Sequence, residues 1–569
     1  MRRRVVLVGA TGTFGSRLAA MLAEFPEIEL VLVARREGAL ETLRRSLEQQ
    51  GAAAHIVARP FDRSQPEKLA ELSPWLVVDA AGPFQDSDYR LALAAVRLGA
   101  HYVDLADGRD YVAGFGSALN DAARKAGVLA VTAASSTPAL SHAALEMLVE
   151  GWRQVDDVVV AISPGARAPR GLSVVEAILS YVGQPVRVFD SGDWRTVPGW
   201  SGLRTVHMPG LGKRFVSICE TPDLDLLPER FPIRRNALFK AGLEVPVMHL
   251  GLALLGLPVR WGLLSSLRPL AKPLRALSGI LALLGTDRGG MSVEALGHDA
   301  EDRPTHARWA LWAETGAGPH TPAAPAAAMV RALIDGRETR RGAMACAGML
   351  ELRDILHELA HLPILTRADD GLPESPVLFE RLLGRRWSGL PASVRAVHGG
   401  GHLSVSGRAI ARIGANLPAR LLRLLLGLPY SGRHKASVTL EPALDGERWT
   451  RRFGSSQFAS LLTDTRRKRL GLFEERFGPL RFTFDLRPTP AGVSWELCGW
   501  SVAGLPLPGW LAPRIRAGAE GAGGLYRFRV LVAHRWIGPL FAYRGTLVPA
   551  ASGISDDATS SSPSVKLPL

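Results

Sequence analysis

Cysteine and lysine are the scarce residues of this chain. Three cysteines, Cys219, Cys346 and Cys498, are spread through 569 residues and form no CxxC pair. That argues against a disulfide framework or a structural zinc centre, and a reducing cytoplasm fits best. Only eight of the 68 basic residues are lysine, and the arginines are dispersed rather than gathered into a run interleaved with aromatics. A nucleic-acid-binding function is therefore not expected. Tyrosine is rare as well, and none of the seven is followed by lysine four residues later, so the proton-donating Tyr-x-x-x-Lys pair of short-chain dehydrogenases is absent. No apolar run reaches the roughly 20 residues needed to span a bilayer. The opening Met1-Arg2-Arg3-Arg4 and Val5 to Val8 have too short an apolar stretch for a signal peptide.

What remains is a folded composition, 47% hydrophobic and 21% charged, with a net charge of +14. This excess favours anionic partners, either phosphate ligands or an acidic membrane surface. The length implies three or four domains.

The clearest chemistry lies at the start. Val5-Val6-Leu7-Val8 leads into Gly9-Ala10-Thr11-Gly12-Thr13-Phe14-Gly15 and then into an apolar-periodic helix beginning near Thr13. Glycine suits each of its three positions, because the chain must turn sharply off a buried strand, admit a pyrophosphate and pack a helix closely. The helix start offers free N–H groups and the positive end of its dipole to the anion. A second buried strand, Ile28 to Ala34, ends in Arg35-Arg36, so the strand end offers two arginines and no carboxylate. Paired arginines there fit the extra phosphate of NADP better than the bare ribose of NAD.

Strand and helix patterns then alternate: a helix over Glu37 to Gln50, strands at Ala54 to Val57 and within Trp75 to Phe84, a helix at Asp88 to Leu98, and strands at His101 to Asp104 and Val128 to Thr132. This is the order of an α/β Rossmann-type, doubly wound parallel sheet, read as closing near residue 140 and assigned to residues 1–150. Ligands in such sheets bind at the carboxyl ends of the strands. That singles out Asp79, Ala81, Gly82, Pro83 and Phe84 as walls of the cofactor pocket. Tyr102, Asp104 and Asp107 are the catalytic candidates, Tyr102 as proton donor and either aspartate as base or orienting group. The bland alternative makes Tyr102 a core residue and Asp107 a turn or cap. His142 is a further candidate acid. His398 and His402 flank Gly399-Gly400-Gly401, and two histidines without a third ligand make no metal site.

Three of these stretches together, Gly9-Ala-Thr-Gly-Thr-Phe-Gly15, Val78-Asp-Ala-Ala-Gly-Pro-Phe84 and His101-Tyr-Val-Asp-Leu-Ala-Asp107, resemble the saccharopine dehydrogenase-like reductases. The resemblance is confined to the first 150 residues. It implies an NADP-binding Rossmann domain followed by an α+β domain over the nicotinamide, in a family that includes lysine-pathway enzymes and lipid-associated homologues. It does not fix a substrate.

Residues 151–360 read as that α+β substrate or dimerisation domain. Val155 to Ile162 is a strand, Leu172 to Val182 a mixed apolar segment, and Met291 to Leu296 with His306 to Ala313 a hairpin around a polar loop. A helix follows Thr321-Pro322 and stops at Gly336. An apolar insertion occupies about 240–286. Its Val245 to Val259 stretch is free of charge, and Arg260, Arg268, Lys272 and Arg275 punctuate the leucine-rich sequence beyond. Such a segment lies in a membrane interface, forms a core hairpin, or makes a dimer contact.

Arg367 to Pro376 has linker composition. Residues 374–550 then form a mainly antiparallel β domain: a helix at Val377 to Leu383 and strands at His402 to Ile413, Ala436 to Pro442, Arg448 to Phe453, Leu480 to Leu486, Val493 to Trp500 and Tyr526 to His534, in a curved sheet or partial barrel. This half resembles, in overall pattern, a bacterial domain of unknown function found fused to saccharopine dehydrogenase-like reductases. The serine-rich residues 551–569 are expected to be a disordered tail.

Two functions follow as expectations. One is an NADP-dependent reductase acting on a small or lipid-like substrate, with possible peripheral membrane contact through about 245–284. The other is a non-catalytic NADP-binding protein whose C-terminal domain is a scaffold or holds an apolar ligand.

Overall fold

Continuous β-branched runs with no polar alternation are the signature of strands buried on both faces, and they build the first sheet. The computed structural model describes residues 2–548 except 170, 371–376, 400–402, 444–445, 465–470, 479 and 503–504. The serine-rich tail, His402, Gly400 and Gly401 lie outside the described residues. Two compact units divide at Gly371.

In the first unit, seven parallel strands are ordered Gly342–Ala345, Leu129–Thr132, His101–Asp104, Leu76–Asp79, Arg3–Val8, Ile28–Ala34 and His55–Pro60. Strand order reverses beside Arg3–Val8, which pairs with Ile28–Ala34 on one side and Leu76–Asp79 on the other. The crevice at the carboxyl ends there is where a nucleotide binds in this architecture. Val5 to Leu7 are fully buried, as are Leu18 and Leu22 of the helix Gly15–Ala23 that covers them.

The sheet does not close near residue 140. Gly342–Ala345 adds a seventh strand, parallel to Leu129–Thr132, from some 200 residues downstream. The preceding helix Ala324–Ile334 is buried along nearly its whole length, and Arg3 donates to the carbonyl of Ile334 at its end.

A second, mixed sheet stands in the same unit, ordered Arg204–Met208, Gly212–Ile218, Ile233–Ala241, Gln154–Ser163, Gly289–His298, Pro304–Ala313 and Ile364–Asp370. The hairpin of Gly289–His298 with Pro304–Ala313 is present. Leu172–Tyr181 is a helix. The first part of the stretch with linker composition, through Asp370, instead completes an edge strand: it pairs with Pro304–Ala313, and Arg308 meets Asp369 at 2.7 Å. The apolar insertion forms two helices, Pro246–Arg260 and Ala271–Leu281.

The second unit begins with helices Leu378–Leu383 and Ala392–Val397. A meander of antiparallel strands follows, and Leu480–Thr489 pairs with Gly492–Val502 to close ten of them into a full ring. The barrel is thus complete rather than partial. Strands not foreseen from the sequence, Ser456–Asp464, Leu472–Phe477, Arg514–Ala522 and Gly538–Val548, supply the missing staves. Closure leaves the ring without a free edge. Its core includes Phe379, stacked on His398 at 3.9 Å and on Trp449 at 6.0 Å.

Candidate cofactor and substrate site

The glycine loop has three distinct jobs. Gly9 takes a left-handed φ of +80°, and a Cβ there would come within 2.8 Å of the Ala81 amide nitrogen. A Cβ at Gly15 would overlap the carbonyl of Gly9, so Gly15 sets how closely the helix packs under the loop. Gly12 is different. Its φ is ordinary, it is exposed, and a Cβ would meet only the Gly9 carbonyl oxygen, at 3.2 Å. Gly12 is the open side of the cradle, while Gly9 and Gly15 are its frame. No side chain caps the helix Gly15–Ala23, and of its first turn Ser16 donates its amide to the Gly12 carbonyl; the N–H groups left over are those that a helix start offers an anion. Ala10 donates its amide to Val33, and Thr11, Thr13 and Phe14 lie half-buried between the glycines. This arrangement fits a pyrophosphate.

Arg35 ends the second strand with its side chain 82% exposed, in a long 3.7 Å ion pair with Asp62. Arg36 beside it is exposed too. Both stand clear of the core, where a solvent-side phosphate would meet them.

The fourth strand ends in Asp79, which is wholly buried. One carboxylate oxygen accepts from the Ala81 amide at 3.0 Å, and the other accepts from Arg63 at 2.7 Å and from the Tyr102 hydroxyl at 3.2 Å. Burial pushes the Asp79 carboxyl up, and the guanidinium against it opposes that push. Arg63 was not singled out from the sequence; it lies in the loop after the third strand and packs over the buried Phe84 ring at 5.4 Å. The Gly82–Pro83 peptide is cis.

Tyr102 is fully buried, stacked beside Phe115, and burial holds its phenol well above the ordinary pKa. Asp104 is equally buried. One oxygen accepts from Thr132 Oγ1 at 2.8 Å and from the amides of Ala106 and Ala133 at 3.0 and 2.8 Å, and burial pushes the carboxyl up to about 7. Asp104 therefore joins the loops after two neighbouring strands.

Asp107 is the one of the three candidates that solvent reaches. Desolvation nonetheless raises its pKa, and Gln85 donates to it at 3.1 Å. Two groups of the second sheet and its helix come near enough to interact with it. The Tyr181 hydroxyl and Cys219 sulfur are 2.9 Å apart and buried, both feel the Asp107 charge, and burial raises the Cys219 thiol to about 12. Next to them Arg109, from the helix after Asp107, holds Asp225 at 2.6 and 2.5 Å, with Glu220 3.8 Å away. Sequence reasoning missed Tyr181, Cys219, Glu220, Arg109 and Asp225. The scarcity of tyrosine and cysteine was the only available signal.

His142 has a different set of neighbours. It is fully buried, 3.7 Å from the buried Asp223 and against Phe231. Burial lowers the imidazole to about 3 and raises the Asp223 carboxyl to about 7. His398 belongs to the barrel core of the second unit. Among the described residues no group of His, Cys, Asp and Glu has the geometry of a metal centre.

A doubly wound sheet with a glycine cradle at its switch point defines a nucleotide-binding domain. More particularly, residues 5–148 match the family model of the saccharopine dehydrogenase NADP binding domain, and residues 390–547 match a domain of unknown function, DUF4166. The first domain is thus a saccharopine dehydrogenase-like NADP-binding domain. No curated protein matches the chain. Solved structures with similar folds include apo saccharopine dehydrogenase (L-Glu forming) from Saccharomyces cerevisiae, at 13% identity over 64% of this chain and 100% of that one, TM-score 0.46. Another is the C. glutamicum DAP dehydrogenase with DAP, at 14% identity over 63% and 98%, TM-score 0.34. A third is an engineered D-amino acid dehydrogenase bound to NADP+, at 14% identity over 63% and 99%, TM-score 0.35.

Proposed function

We propose that the chain is an NADP-dependent oxidoreductase acting on a small or lipid-like substrate in the recess between Asp107 and the Tyr181–Cys219 wall. The observation that carries this reading is Asp107 itself, an exposed carboxylate with raised proton affinity at the carboxyl end of the sheet that holds the glycine cradle. Gly9 to Gly15 would hold the pyrophosphate, Arg35 and Arg36 the 2′-phosphate, and Ala81 to Phe84 the pocket wall. NADP, when bound, supplies or accepts the hydride. Asp107 receives or gives the accompanying proton at a carboxylate oxygen, oriented by Gln85. A raised pKa brings a carboxyl nearer the operating pH of a general acid or base. Tyr102, Asp79 and Asp104 hold the loops that set Asp107 in place. Titration of the purified chain with NADPH and NADH tests the cofactor half: NADPH is expected to bind more tightly, and equal or absent binding sinks it. Screening NADPH oxidation against aldehydes, ketones, imines and enoyl compounds tests the chemistry, with Asp107→Asn expected to abolish turnover and leave NADPH affinity unchanged.

The closed barrel favours a second reading for the other half. A ring of eight strands already has room for one small ligand, and ten make a wider one. Ile515, Phe528 and Tyr543 pack on the core face yet stay half-buried, as inward residues do around unfilled space. In this reading the barrel holds an apolar ligand and NADP is structural or sensory. Mass spectrometry of ligands co-purifying with the chain tests it, and recovery of no apolar molecule counts against it.

A further inference from the structure

From the two helices of the apolar insertion we infer a docking surface for an anionic phospholipid bilayer, independent of the reductase reading. From residue 245 to residue 286 the chain contains no aspartate or glutamate, while Arg260, Arg268, Lys272 and Arg275 give it four cations. Glu244 and Asp287 bracket the stretch. This charge complements an acidic lipid surface, to which each cation near the surface adds attraction.

The helix Pro246–Arg260 is fixed to the protein by one narrow stripe. His249, Leu252, Gly256 and Val259 are buried, and the His249 ring contacts Ser217 Oγ at 2.9 Å while its carbonyl accepts from the Trp200 indole at 3.1 Å. Gly256 lies against Val182 and Gly183. Ala253 packs half-buried beside this stripe, while Val247, Leu254 and Leu255 on the helix stay exposed. Ala271–Leu281 buries only Ala271.

Between residues 247 and 284, eleven large hydrophobic side chains are exposed, nearly half of all such residues among those described. Leu254 and Trp261 are 66% exposed, Leu263 72%, Leu283 74% and Leu284 73%. Together they expose on the order of 1,000 Å² of apolar surface, where a soluble monomer seldom shows more than a few hundred in one patch. A core hairpin is excluded by these exposures. Neither helix is long and apolar enough to cross a bilayer, so the fitting placement is that of an element lying in the interface: exposed leucines and a tryptophan, arginines and a lysine in the same segment, and an anchored stripe behind the first helix.

The surface also borders the recess. Arg268 pairs with Asp86 at 2.7 Å, next to the Gln85 that holds Asp107, and the Ser265 carbonyl accepts from Gln184.

The test is flotation of the full chain with vesicles of phosphatidylcholine alone and of phosphatidylcholine mixed with phosphatidylglycerol, at low and high salt. Binding to the mixed vesicles, weakened by salt, is expected. Leu263→Asp with Leu283→Asp, both at exposed sites, should weaken it by roughly tenfold or more. Arg260→Gln with Lys272→Gln and Arg275→Gln should remove the preference for anionic vesicles. NADPH affinity, measured in parallel, should be the same in every variant, which separates failure of this surface from failure of the cofactor site. Absence of vesicle binding overturns the proposal, as does binding that the aspartates leave unchanged. A concentration-dependent dimer abolished by the same aspartates overturns it too, by assigning the face to a second copy of the chain.

Discussion

Alanine at each glycine of the cradle should separate framework from ligand contact. At Gly12 the new methyl group meets only the Gly9 carbonyl oxygen, at 3.2 Å, and φ lies in the ordinary region. A shift of a few tenths of an ångström relieves the contact, and the less flexible unfolded chain partly offsets it, so stability should change by less than about 1 kcal/mol. The methyl does occupy the side from which the pyrophosphate approaches. Loss of one or two backbone hydrogen bonds to a charged phosphate costs about 1.5–3 kcal/mol each, which weakens NADPH binding by tenfold or more. At Gly9 the left-handed φ and the 2.8 Å approach to Ala81 add about 1–2 kcal/mol of backbone strain to about 1–3 kcal/mol of overpacking. Gly15→Ala forces the helix away from the loop, with an overpacking cost in the same range. Thermal melts combined with NADPH calorimetry read both quantities. Gly12→Ala should melt like the parent and bind poorly, whereas Gly9→Ala and Gly15→Ala should melt early. A Gly12→Ala protein that binds NADPH as the parent does would refute the cradle, and equal melting of all three variants would refute the division of roles.

Three further outcomes are expected. Replacing Arg35 and Arg36 by aspartate should cut the preference for NADPH over NADH roughly tenfold or more, as measured by the ratio of their dissociation constants; an unchanged ratio removes these residues from the 2′-phosphate site. Asp104 is raised to about 7, so as pH climbs from about 4 to 7 the unfolded chain gives up a proton that the folded one retains. Stability should therefore fall over that window, by up to roughly 4 kcal/mol, and level off above it; Asp104→Asn should flatten this part of the curve in melts run across the window. His398 is lowered to about 3 by burial, which works in the opposite direction. Its contribution is complete above pH 6.5 and falls as pH drops toward 3, by up to roughly 5 kcal/mol. Denaturant unfolding of His398→Gln should show a shallower acid decline than the parent, and parallel declines would count against this imidazole.

The first sheet was legible because a strand buried on both faces reads as a near-continuous apolar run rich in β-branched residues, and Val5–Val8, Ile28–Ala34 and Leu76–Val78 come close to one. The seventh strand was not. Gly342-Ala-Met-Ala345 carries no local signal and is a strand because the edge of Leu129–Thr132 offers it a partner. The barrel shows the same limit. Arg514–Ala522, with sequence RIRAGAEGA, has weak strand preference, and its small inward residues suit close packing against neighbours such as the Pro391 that meets Gly521. Tertiary pairing overrides propensity in both places.

The site divides along a related line. Strand-end carboxylates attract attention because ligands bind there, but the same position leaves turning loops with amide groups to satisfy. Asp79 and Asp104 are in register on adjacent strands. Asp79 takes the amide of Ala81, and Asp104 takes those of Ala106 and Ala133. Each carboxylate is placed to hold the loop that shapes the crevice, with Tyr102 and Arg63 completing the set on Asp79. Asp107 lies three residues beyond Asp104, outside this network and open to solvent, facing a wall made of residues more than 70 positions away. A sequence shows which carboxylates stand at strand ends. Only the fold separates those that bind loops from the one that stays open to solvent.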